Sequence, residues 1–201
     1  MKIRCLLPAC AVLLMVSAAL AQDPASPVLR PPAGAQVAIV IFEDLECPDC
    51  RQAVPVLEGA SRKYSVPIIV HDFALPSHRW SFAAAVMARY FESQSKALGE
   101  QYRDYIFEHQ PDITVDTLRA FSERFASEHK VDLPKVVDPQ GKFARQVAAD
   151  RDLAYEMRLR GTPTIYVVSN RTQGKAFVEV MERDDLGQLI EAMKEDGVGG
   201  R

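Results

Sequence analysis

The spacing of hydrophobic residues changes twice in the first half of the chain. Two short apolar runs, residues 37–42 and 66–73, predict buried strands because they are brief and rich in β-branched residues. Between them, apolar residues three and four positions apart continue from Cys47 to about Tyr64 and predict a helix. Pro55 falls inside this helix and should kink it, since proline removes a backbone donor. The pattern predicts a strand, a helix and a strand.

Residues 77–159 show helical spacing throughout and are predicted to form a block of helices. Thr114 or Asp116 is the expected cap of one helix, and Asp138, which precedes a proline, is the expected start of another. The apolar stripes are typical of packing within a bundle, which we favour over a surface that lines a cofactor. Their members are Ala83, Ala84, Met87, Phe91, Leu98, Tyr102, Tyr105, Ile106, Leu118, Phe121, Phe125, Phe143, Val147 and Ala154.

Strand character returns near the C-terminus. Residues 164–169 and 175–180 predict two strands, joined by a hairpin loop at 170–174. A last amphipathic helix is predicted to begin near Asp184 and to end before Gly197. The whole order indicates an α/β domain that carries a helical insertion.

The first 21 residues have the three parts of a secretory signal peptide. A basic start precedes the apolar residues 5–16, and Ala19-Leu20-Ala21 is a small-residue cleavage site. An uncleaved membrane anchor is the alternative, but the apolar run is short for a membrane span. Lipid attachment at Cys10 is disfavoured because hydrophobic residues continue after it. We expect residues 1–21 to be removed and the proline-rich residues 22–35 to form an extended linker.

Removal of the signal peptide would change both the cysteine content and the charge. Two of the four cysteines lie in it, so Cys47 and Cys50 would be the only cysteines of a mature chain of about 180 residues. The formal net charge would change from -3 to -5, because the segment holds two basic residues and no acidic one. An acidic chain without a Lys/Arg cluster argues against binding to nucleic acid or to an anionic membrane.

The sequence Cys47-Pro48-Asp49-Cys50 stands where the first strand should turn into a helix. The helix dipole and free amide groups can lower a cysteine pKa there from about 8.5 to between about 3.5 and 7.5. Thiol-disulfide exchange needs such a thiolate and a neighbouring thiol that resolves the mixed disulfide. We therefore expect Cys47 to be exposed and reactive, Cys50 to be shielded, and Pro48 to occupy the first helical turn.

Two other interpretations of the cysteine pair stay open. A zinc or copper site could include His71 and His78, but the mature chain has no second cysteine pair, and a histidine inside a strand is more typical of packing. A purely structural disulfide is the weaker alternative, since so short a loop constrains the unfolded chain little. We find no His-Glu-x-x-His motif, phosphate loop or serine nucleophile elbow, and expect neither a metal nor a dissociable cofactor.

A second motif, Gly161-Thr162-Pro163-Thr164, precedes the third predicted strand. Three segments and the order of the predicted elements together resemble the DsbA-like branch of the thioredoxin superfamily. The segments are residues 42–50, Phe73-Ala74-Leu75-Pro76-Ser77-His78 and this second motif. The resemblance covers residues from about 36 to 196.

The resemblance implies an α/β architecture with a thioredoxin-like mixed sheet. Residues 36–76 and 160–197 would form the thioredoxin-like domain, and residues 77–159 would form an inserted helical domain. It also implies an apolar groove that takes unfolded client chains.

The resemblance implies a role for each motif residue. Cys47 would be the attacking cysteine and Cys50 the resolving one. Pro163 would be a cis proline beside the disulfide, and Thr162 would offer backbone groups to an extended substrate strand.

Two positions depart from the family pattern. Asp49 stands where relatives often carry histidine or an aromatic residue, and Glu46 is a second carboxylate near Cys47. A carboxylate about 6 Å from an exposed sulfur would raise its pKa by about 0.5 to 1, which predicts a less oxidising disulfide than in the strongest family oxidases. Ile41 occupies a position where many relatives bury an acid, so water, Glu43 or Glu46 would take the proton of the resolving cysteine.

We therefore expect an exported, periplasmic or secreted thiol-disulfide oxidoreductase that acts as a mild oxidase. A reductase or isomerase supplied with electrons from the membrane is the close alternative. A non-catalytic thioredoxin-fold chaperone or a copper carrier is the alternative of another class. The expected partners are unfolded or cysteine-containing exported proteins and a membrane redox partner that recycles the pair, with no nucleic acid and no stable membrane insertion after cleavage.

Overall fold

The computed structural model describes residues 28–170 and 175–195. The predicted signal peptide (1–21), residues 22–27 of the predicted linker, the loop residues 171–174 and Gly197 lie outside the described residues. Within the described part, no helix is long and apolar enough to cross a membrane.

The strands in the described residues are β1 (Val37–Glu43), β2 (Ile68–Asp72), β3 (Thr164–Ser169) and β4 (Phe177–Glu179). They form one mixed sheet in the order β2-β1-β3-β4, in which β1 pairs in parallel with β2 and antiparallel with β3. β4 pairs antiparallel with β3 at the edge. All seven residues of β1 are buried, which explains its continuous apolar run. The predicted α/β fold with a mixed sheet is confirmed.

The α-helices of the described residues are α1 (Pro48–Tyr64), α2 (Ser81–Gln94), α3 (Lys96–His109), α4 (Leu118–Glu128), α5 (Lys142–Glu156) and α6 (Leu186–Glu195). A 3-10 turn at Gln110–Asp112 follows α3, and another at Arg183–Asp185 leads into α6. The helix α1 continues through Pro55, and a kink there stays a prediction. Its chain reverses at Ser65, whose φ of 52° is left-handed.

Several predicted boundaries were wrong. β2 and β4 are shorter than the predicted runs 66–73 and 175–180. The helical block is interrupted, because residues 129–141 contain no helix and hold two prolines. Asp138 still serves the next helix from outside it, since its Oδ2 accepts a 2.8 Å hydrogen bond from the Ala144 amide in the first turn of α5.

The helix α4 begins later than the sequence predicts, because its cap lies three residues after Thr114 and one residue after Asp116. Its N-cap is Thr117, and neither Thr114 nor Asp116 takes that place. The Thr117 hydroxyl oxygen accepts a hydrogen bond from the Thr114 amide, and the Thr114 hydroxyl oxygen accepts one from the Thr117 amide. The two threonines therefore stabilise the turn before the helix by a reciprocal pair of hydrogen bonds.

The two faces of the sheet carry separate hydrophobic cores, because successive residues of β1 point to opposite sides. Ile41 faces a core that α1 and α6 close, whereas Phe42 faces a core shared with α5. Leu29 is only 1% exposed in this second core. The expectation of an extended linker over residues 22–35 is therefore wrong at its described end, where the burial of apolar area docks the chain on the domain.

A third core lies among α2, α3 and α4. Its centre is an aromatic cluster of Phe91, Tyr102 and Phe125, whose ring centroids are 4.6 to 5.2 Å apart. Each such aromatic pair contributes about 0.5–1.5 kcal/mol beyond the burial of its area. Cys47 and Cys50 belong to the same core. The cysteine pair therefore lies where the helical insertion meets the sheet.

Buried ion pairs join the insertion to the ends of β1 and β2. Arg103 of α3 contacts Glu43 at 3.0 Å and Asp72 at 2.8 Å. Arg89 of α2 contacts Asp72 and Asp150, both at 2.7 Å. Removal of one partner from a buried pair costs about 3–5 kcal/mol, because the other charge stays uncompensated. The network thus holds the insertion in one position relative to the cysteine pair.

Candidate active site

Cys47 and Cys50 occupy the first turn of α1. Cys47 is the N-cap residue, and Pro48, which lacks an amide hydrogen, is the first residue of the helix. Cys50 is fully buried, which agrees with its predicted shielding. Cys47 was expected to be exposed, and this was wrong: only 6% of the residue is accessible, because the core of the helical insertion packs over both sulfurs. Both are free thiols in this structure.

The second sequence motif lies against the first sulfur. Antiparallel pairing of β1 with β3 sets Phe42 opposite Thr164, the first residue of β3. The residues just before β3 therefore lie beside the N-terminus of α1. The Cys47 thiol donates a hydrogen bond to the Thr162 carbonyl oxygen over 3.3 Å. The Thr162–Pro163 peptide bond is cis. Two motifs that lie 115 residues apart in the sequence therefore meet at one sulfur.

The surroundings of Cys47 favour its thiolate. A hydrogen bond from the Cys50 thiol is the main cause that lowers the pKa of Cys47 to about 5, although burial acts in the opposite direction. The Thr162 side chain and the backbone amides of Cys50 and Asp49 lower it further. The Thr162 hydroxyl is buried and has no hydrogen-bond partner among the described residues. All of these stabilising groups are neutral dipoles, so their effect depends on their orientation.

Cys50 has the opposite acidity. Burial raises its pKa far above the ordinary range, and its hydrogen bond to Cys47 raises it further. The Asp44 amide lies 3.4 Å from the Cys50 sulfur and lowers the pKa of Cys50, but this effect is smaller than that of burial. At neutral pH one sulfur of the pair is therefore a thiolate and the other a thiol.

The carboxylates that precede Cys47 are bound to the insertion. Glu46 accepts hydrogen bonds from the amides of Trp80 at 2.7 Å and Ser81 at 3.1 Å, and so caps α2. Asp44 is buried and accepts hydrogen bonds from the Leu75 amide at 2.7 Å and from the Glu46 amide at 2.8 Å. The negative charge of Glu46 is thus directed at a helix N-terminus, whereas Asp49 is exposed between the cysteines.

The two candidate metal-binding histidines have other partners. His71 stacks on Phe42, with ring centroids 4.9 Å apart, and its Nδ1 lies 2.8 Å from Asp150. His78 Nδ1 lies 2.8 Å from Asp44. The interpretation of His71 as a packed histidine is confirmed. Among the described residues, no three His, Cys, Asp or Glu side chains are grouped in a way that could hold a metal ion.

Glu43 is a buried carboxyl group whose place follows from the alternation of β1. It lies two residues after Ile41, on the same face of the strand, and is 3% exposed. Burial raises the pKa of Glu43 to about 7, although Arg103 opposes this shift. The charge of Glu43 in turn raises the pKa of Cys50. Both faces of β1 are buried, so the continuous apolar run that ends at Glu43 was the sequence signal for the burial of this carboxyl group.

Glu43 and Arg103 line a cavity of about 480 Å³ between α1, β2 and α3. Val54, one turn beyond Cys50 on α1, lines the same cavity. Charged side chains, among them Glu58, Arg62 and Lys96, line the rest of this space, and neither cysteine does.

The side of Cys47 away from the insertion is more open. The Val180 amide donates to the Ile165 carbonyl oxygen over 2.8 Å, which continues the pairing beyond β4 and brings Met181 level with Thr164. Met181 is 79% exposed, more than any other exposed large hydrophobic residue of the described part. A flexible, apolar and solvent-exposed side chain therefore lies beside the Thr162–Pro163 segment.

The fold and the place of these motifs can be compared with known proteins. A protein-family model described as thioredoxin matches residues 32–192. The chain belongs to the thioredoxin family. This match runs from the segment before β1 into α6, so it includes both sequence motifs and the helical insertion.

Solved structures agree with the DsbA-like resemblance in fold. The structure of α-DsbA1 from Wolbachia pipientis aligns with a TM-score of 0.68 at 14% identity and covers 84% of this chain and 90% of that one. A periplasmic thioredoxin-like protein from Salmonella enterica serovar Typhimurium aligns with a TM-score of 0.63 at 17% identity, over 81% and 87% of the two chains. The DsbA-like fold is thereby confirmed.

Curated relatives at the level of sequence are much longer proteins. The Na(+)/H(+) antiporter NhaA 3 of Salinispora tropica is 27% identical over 168 residues, which are 79% of this chain and 24% of that protein. The NhaA 1 antiporter of Salinispora arenicola is 26% identical over the same shares. The chain thus spans about a quarter of the length of these relatives.

Proposed function

We propose that this protein is a thiol-disulfide oxidoreductase in which Cys47 makes the mixed disulfide and Cys50 resolves it. The observation that carries this proposal is the opposite acidity of two sulfurs in one helical turn: the pKa of Cys47 is lowered to about 5, while that of Cys50 is raised. A low pKa of Cys47 favours its attack on a client disulfide at neutral pH. The buried neighbouring thiol stays protonated until the mixed disulfide forms.

The reduced pair transfers two electrons to a client disulfide in two displacements. The Cys47 thiolate attacks one client sulfur, the client disulfide breaks, and the other client sulfur leaves as a thiolate. Cys50 then loses its proton and attacks the Cys47 sulfur, which releases the second client thiolate and leaves a Cys47–Cys50 disulfide. In the oxidising direction a client thiolate attacks the Cys47 sulfur of that disulfide, and Cys50 leaves and takes up a proton. A second client thiolate then attacks the client sulfur of the mixed disulfide, which forms the client disulfide and releases Cys47 as the thiolate.

The stabilised thiolate also bears on the direction of exchange. A low pKa stabilises the reduced pair, and this makes the disulfide the more oxidising form. A pKa near 5 for Cys47 lies between about 7 in thioredoxin and about 3.5 in a strong oxidase. This supports a mild oxidase of exported proteins in the periplasm or outside the cell, recycled by a membrane redox partner. No metal or dissociable cofactor enters these steps.

Glu43 supplies the base that the second displacement needs. Its carboxyl group is buried, its charge acts on Cys50, and its pKa of about 7 allows it to take up a proton at neutral pH. The cavity that Glu43 lines gives that proton a route to solvent. We assign to Glu43 the role that sequence reasoning left open between water, Glu43 and Glu46.

The client binds on the open side of the Cys47 sulfur. Thr162 and Pro163 offer backbone groups to an extended segment, and the exposed side chain of Met181 contacts its apolar residues. Unfolded or cysteine-containing chains are the clients that such a surface accepts.

The test compares wild-type protein with Cys47→Ser and Cys50→Ser in dithiol oxidation and in reduction of a disulfide-bonded client. We expect Cys47→Ser to lose all turnover and Cys50→Ser to stop after one mixed disulfide. A non-catalytic chaperone would instead keep its suppression of client aggregation in all three proteins and show no turnover. A copper carrier would hold a stoichiometric metal ion in the reduced protein, which metal analysis detects.

The direction in the cell needs a separate measurement. Alkylation of free thiols immediately after lysis reports the redox state of Cys47 and Cys50. A mostly oxidised pair supports the oxidase, whereas a mostly reduced pair supports the membrane-fed reductase or isomerase.

A further inference from the structure

We propose that Gln110 is a positioning residue that sets the acidity of the Cys47 thiolate from the helical insertion. The proposal rests on the thiol-disulfide function proposed above. Gln110 opens the 3-10 turn that follows α3, and its side chain reaches the loop between β1 and α1. The residue is 63 positions away from Cys47 in the sequence.

The contact is specific and uses the full donor capacity of the amide. Gln110 Nε2 donates to the carbonyl oxygen of Leu45 at 2.9 Å and to that of Cys47 at 3.1 Å. A glutamine amide nitrogen has two hydrogens, and these two carbonyls take both. Gln110 is only 8% exposed, so water has little access to replace it. The Cys47 carbonyl also accepts the Arg51 amide at 3.2 Å, the first hydrogen bond of α1.

The direction of these carbonyl groups matters to the nearby sulfur. The negative end of a carbonyl dipole disfavours a thiolate, whereas the amides of Asp49 and Cys50 favour it. Gln110 turns the Leu45 and Cys47 carbonyls toward the insertion and offsets their negative ends. The amides that lower the pKa of Cys47 belong to Asp49 and Cys50 and follow directly after the Cys47 carbonyl that Gln110 binds. By holding that carbonyl, Gln110 contributes to the orientation of these amides.

The same loop is held from a second point. Glu46, between the two carbonyls that Gln110 binds, directs its carboxylate to the N-terminus of α2. The carbonyl groups of the two residues that flank Glu46 therefore bind Gln110, while the Glu46 side chain binds a second part of the insertion. Loss of Gln110 removes this donor from the Leu45 carbonyl and leaves the Cys47 carbonyl with the Arg51 amide alone, while Glu46 keeps the chain in place. The effect is therefore expected on acidity more than on folding.

The test uses Gln110→Met, which keeps the volume but removes both donors, and Gln110→Glu, which keeps the shape but can only accept when ionised. The ultraviolet absorbance of the thiolate is followed during acid titration of each reduced protein. We expect the pKa of Cys47 to rise by about 0.5 in Gln110→Met and about 1 in Gln110→Glu, so that at pH 4 the thiolate population falls about threefold and tenfold. The equilibrium with glutathione shifts toward the disulfide form of the protein.

Gln94→Glu is the matched control, because Gln94 is exposed at the end of α2 and its amide contacts only Ser93 in the described structure. It should leave the titration unchanged. If Gln110→Met folds and keeps the wild-type pKa of Cys47, the proposal is overturned, even when its melting temperature is lower. If Gln110→Glu does not fold, the methionine variant alone decides. Absence of client turnover in wild-type protein would overturn the proposed function and leave this titration result intact.

Discussion

The two sides of the Cys47 sulfur are built differently. The insertion side, residues 44–47 with their contacts to the helices, is held by hydrogen bonds from Gln110 and by the carboxylates of Asp44 and Glu46. The open side, residues 162–164 with Met181, offers a buried hydroxyl without a partner among the described residues and an apolar side chain in solvent.

The difference suggests a division of labour. Neutral dipoles stabilise a thiolate only when they are kept in one orientation, which the insertion side provides. Contact with varied clients needs accessible groups that can adapt, which the open side provides. On this account, changes on the insertion side should alter stability and acidity, while a change of the exposed Met181 on the open side should alter client turnover alone.

The largest expected effect is on the pH dependence of stability of the reduced protein. The pKa of Cys47 is lowered from about 9 to about 5, so the stability it contributes is full above pH 9 and is lost as the pH falls to 5. Between pH 8 and pH 5 this loss amounts to about 4 kcal/mol. Urea unfolding of reduced wild-type protein and of Cys47→Ser at both pH values measures it.

The comparison with Cys47→Ser is needed because the raised pKa of Glu43 changes the stability with pH in the direction opposite to that of Cys47. Its pKa is raised to about 7, so stability that is present at low pH is lost as the pH rises from 4.5 through 7. This term occurs in both proteins and cancels in the difference. Equal pH dependence of the two proteins would contradict the lowered pKa of Cys47.

The next effect concerns the cap that Glu46 forms on α2. We expect Glu46→Gln to destabilise the oxidised protein by about 1–2 kcal/mol, because two helix amides lose a charged acceptor. The change is measured by urea unfolding, with Glu128→Gln at the exposed end of α4 as the control. An unchanged stability together with a clearly lower pKa of Cys47 would show that Glu46 faces the sulfur after all.

A smaller effect is expected between the cysteines. Asp49 is exposed, and we expect its charge to disfavour the nearby thiolate. Asp49→His should lower the pKa of Cys47 by about 0.5 to 1 and make the disulfide more oxidising. Titration of the thiolate and equilibration with glutathione test this, with Asp116→His on the exposed turn before α4 as the control. Identical titrations of wild type and variant would refute the role of Asp49.

The smallest effect is expected at Met181. Met181→Lys removes an apolar contact on the open side, and kcat/KM for an unfolded client should fall about threefold to fivefold, equivalent to about 1 kcal/mol. The pKa of Cys47 should not change. Val136→Lys changes another exposed apolar residue, 64% accessible, and serves as the control. A drop of the same size in the control would remove Met181 from the client surface.

Local signals predicted most of the fold. The apolar residues of β1 and the turn at Cys47-Pro48-Asp49-Cys50 are short-range patterns, and the sheet confirms them. The burial of Cys47 was missed because the insertion core covers it. The contacts of Gln110 and Glu46 were missed because they join positions more than 30 residues apart, for which the sequence holds no periodic signal.

The most direct test of the account is a trap with Cys50→Ser and a disulfide-bonded client. Without the resolving thiol, the mixed disulfide should accumulate, and peptide mass spectrometry should place its bond on Cys47. Cys47→Ser, the matched variant, should trap no client. Accumulation of no mixed disulfide in Cys50→Ser, while the wild-type protein turns the client over, would contradict the roles assigned to the two cysteines.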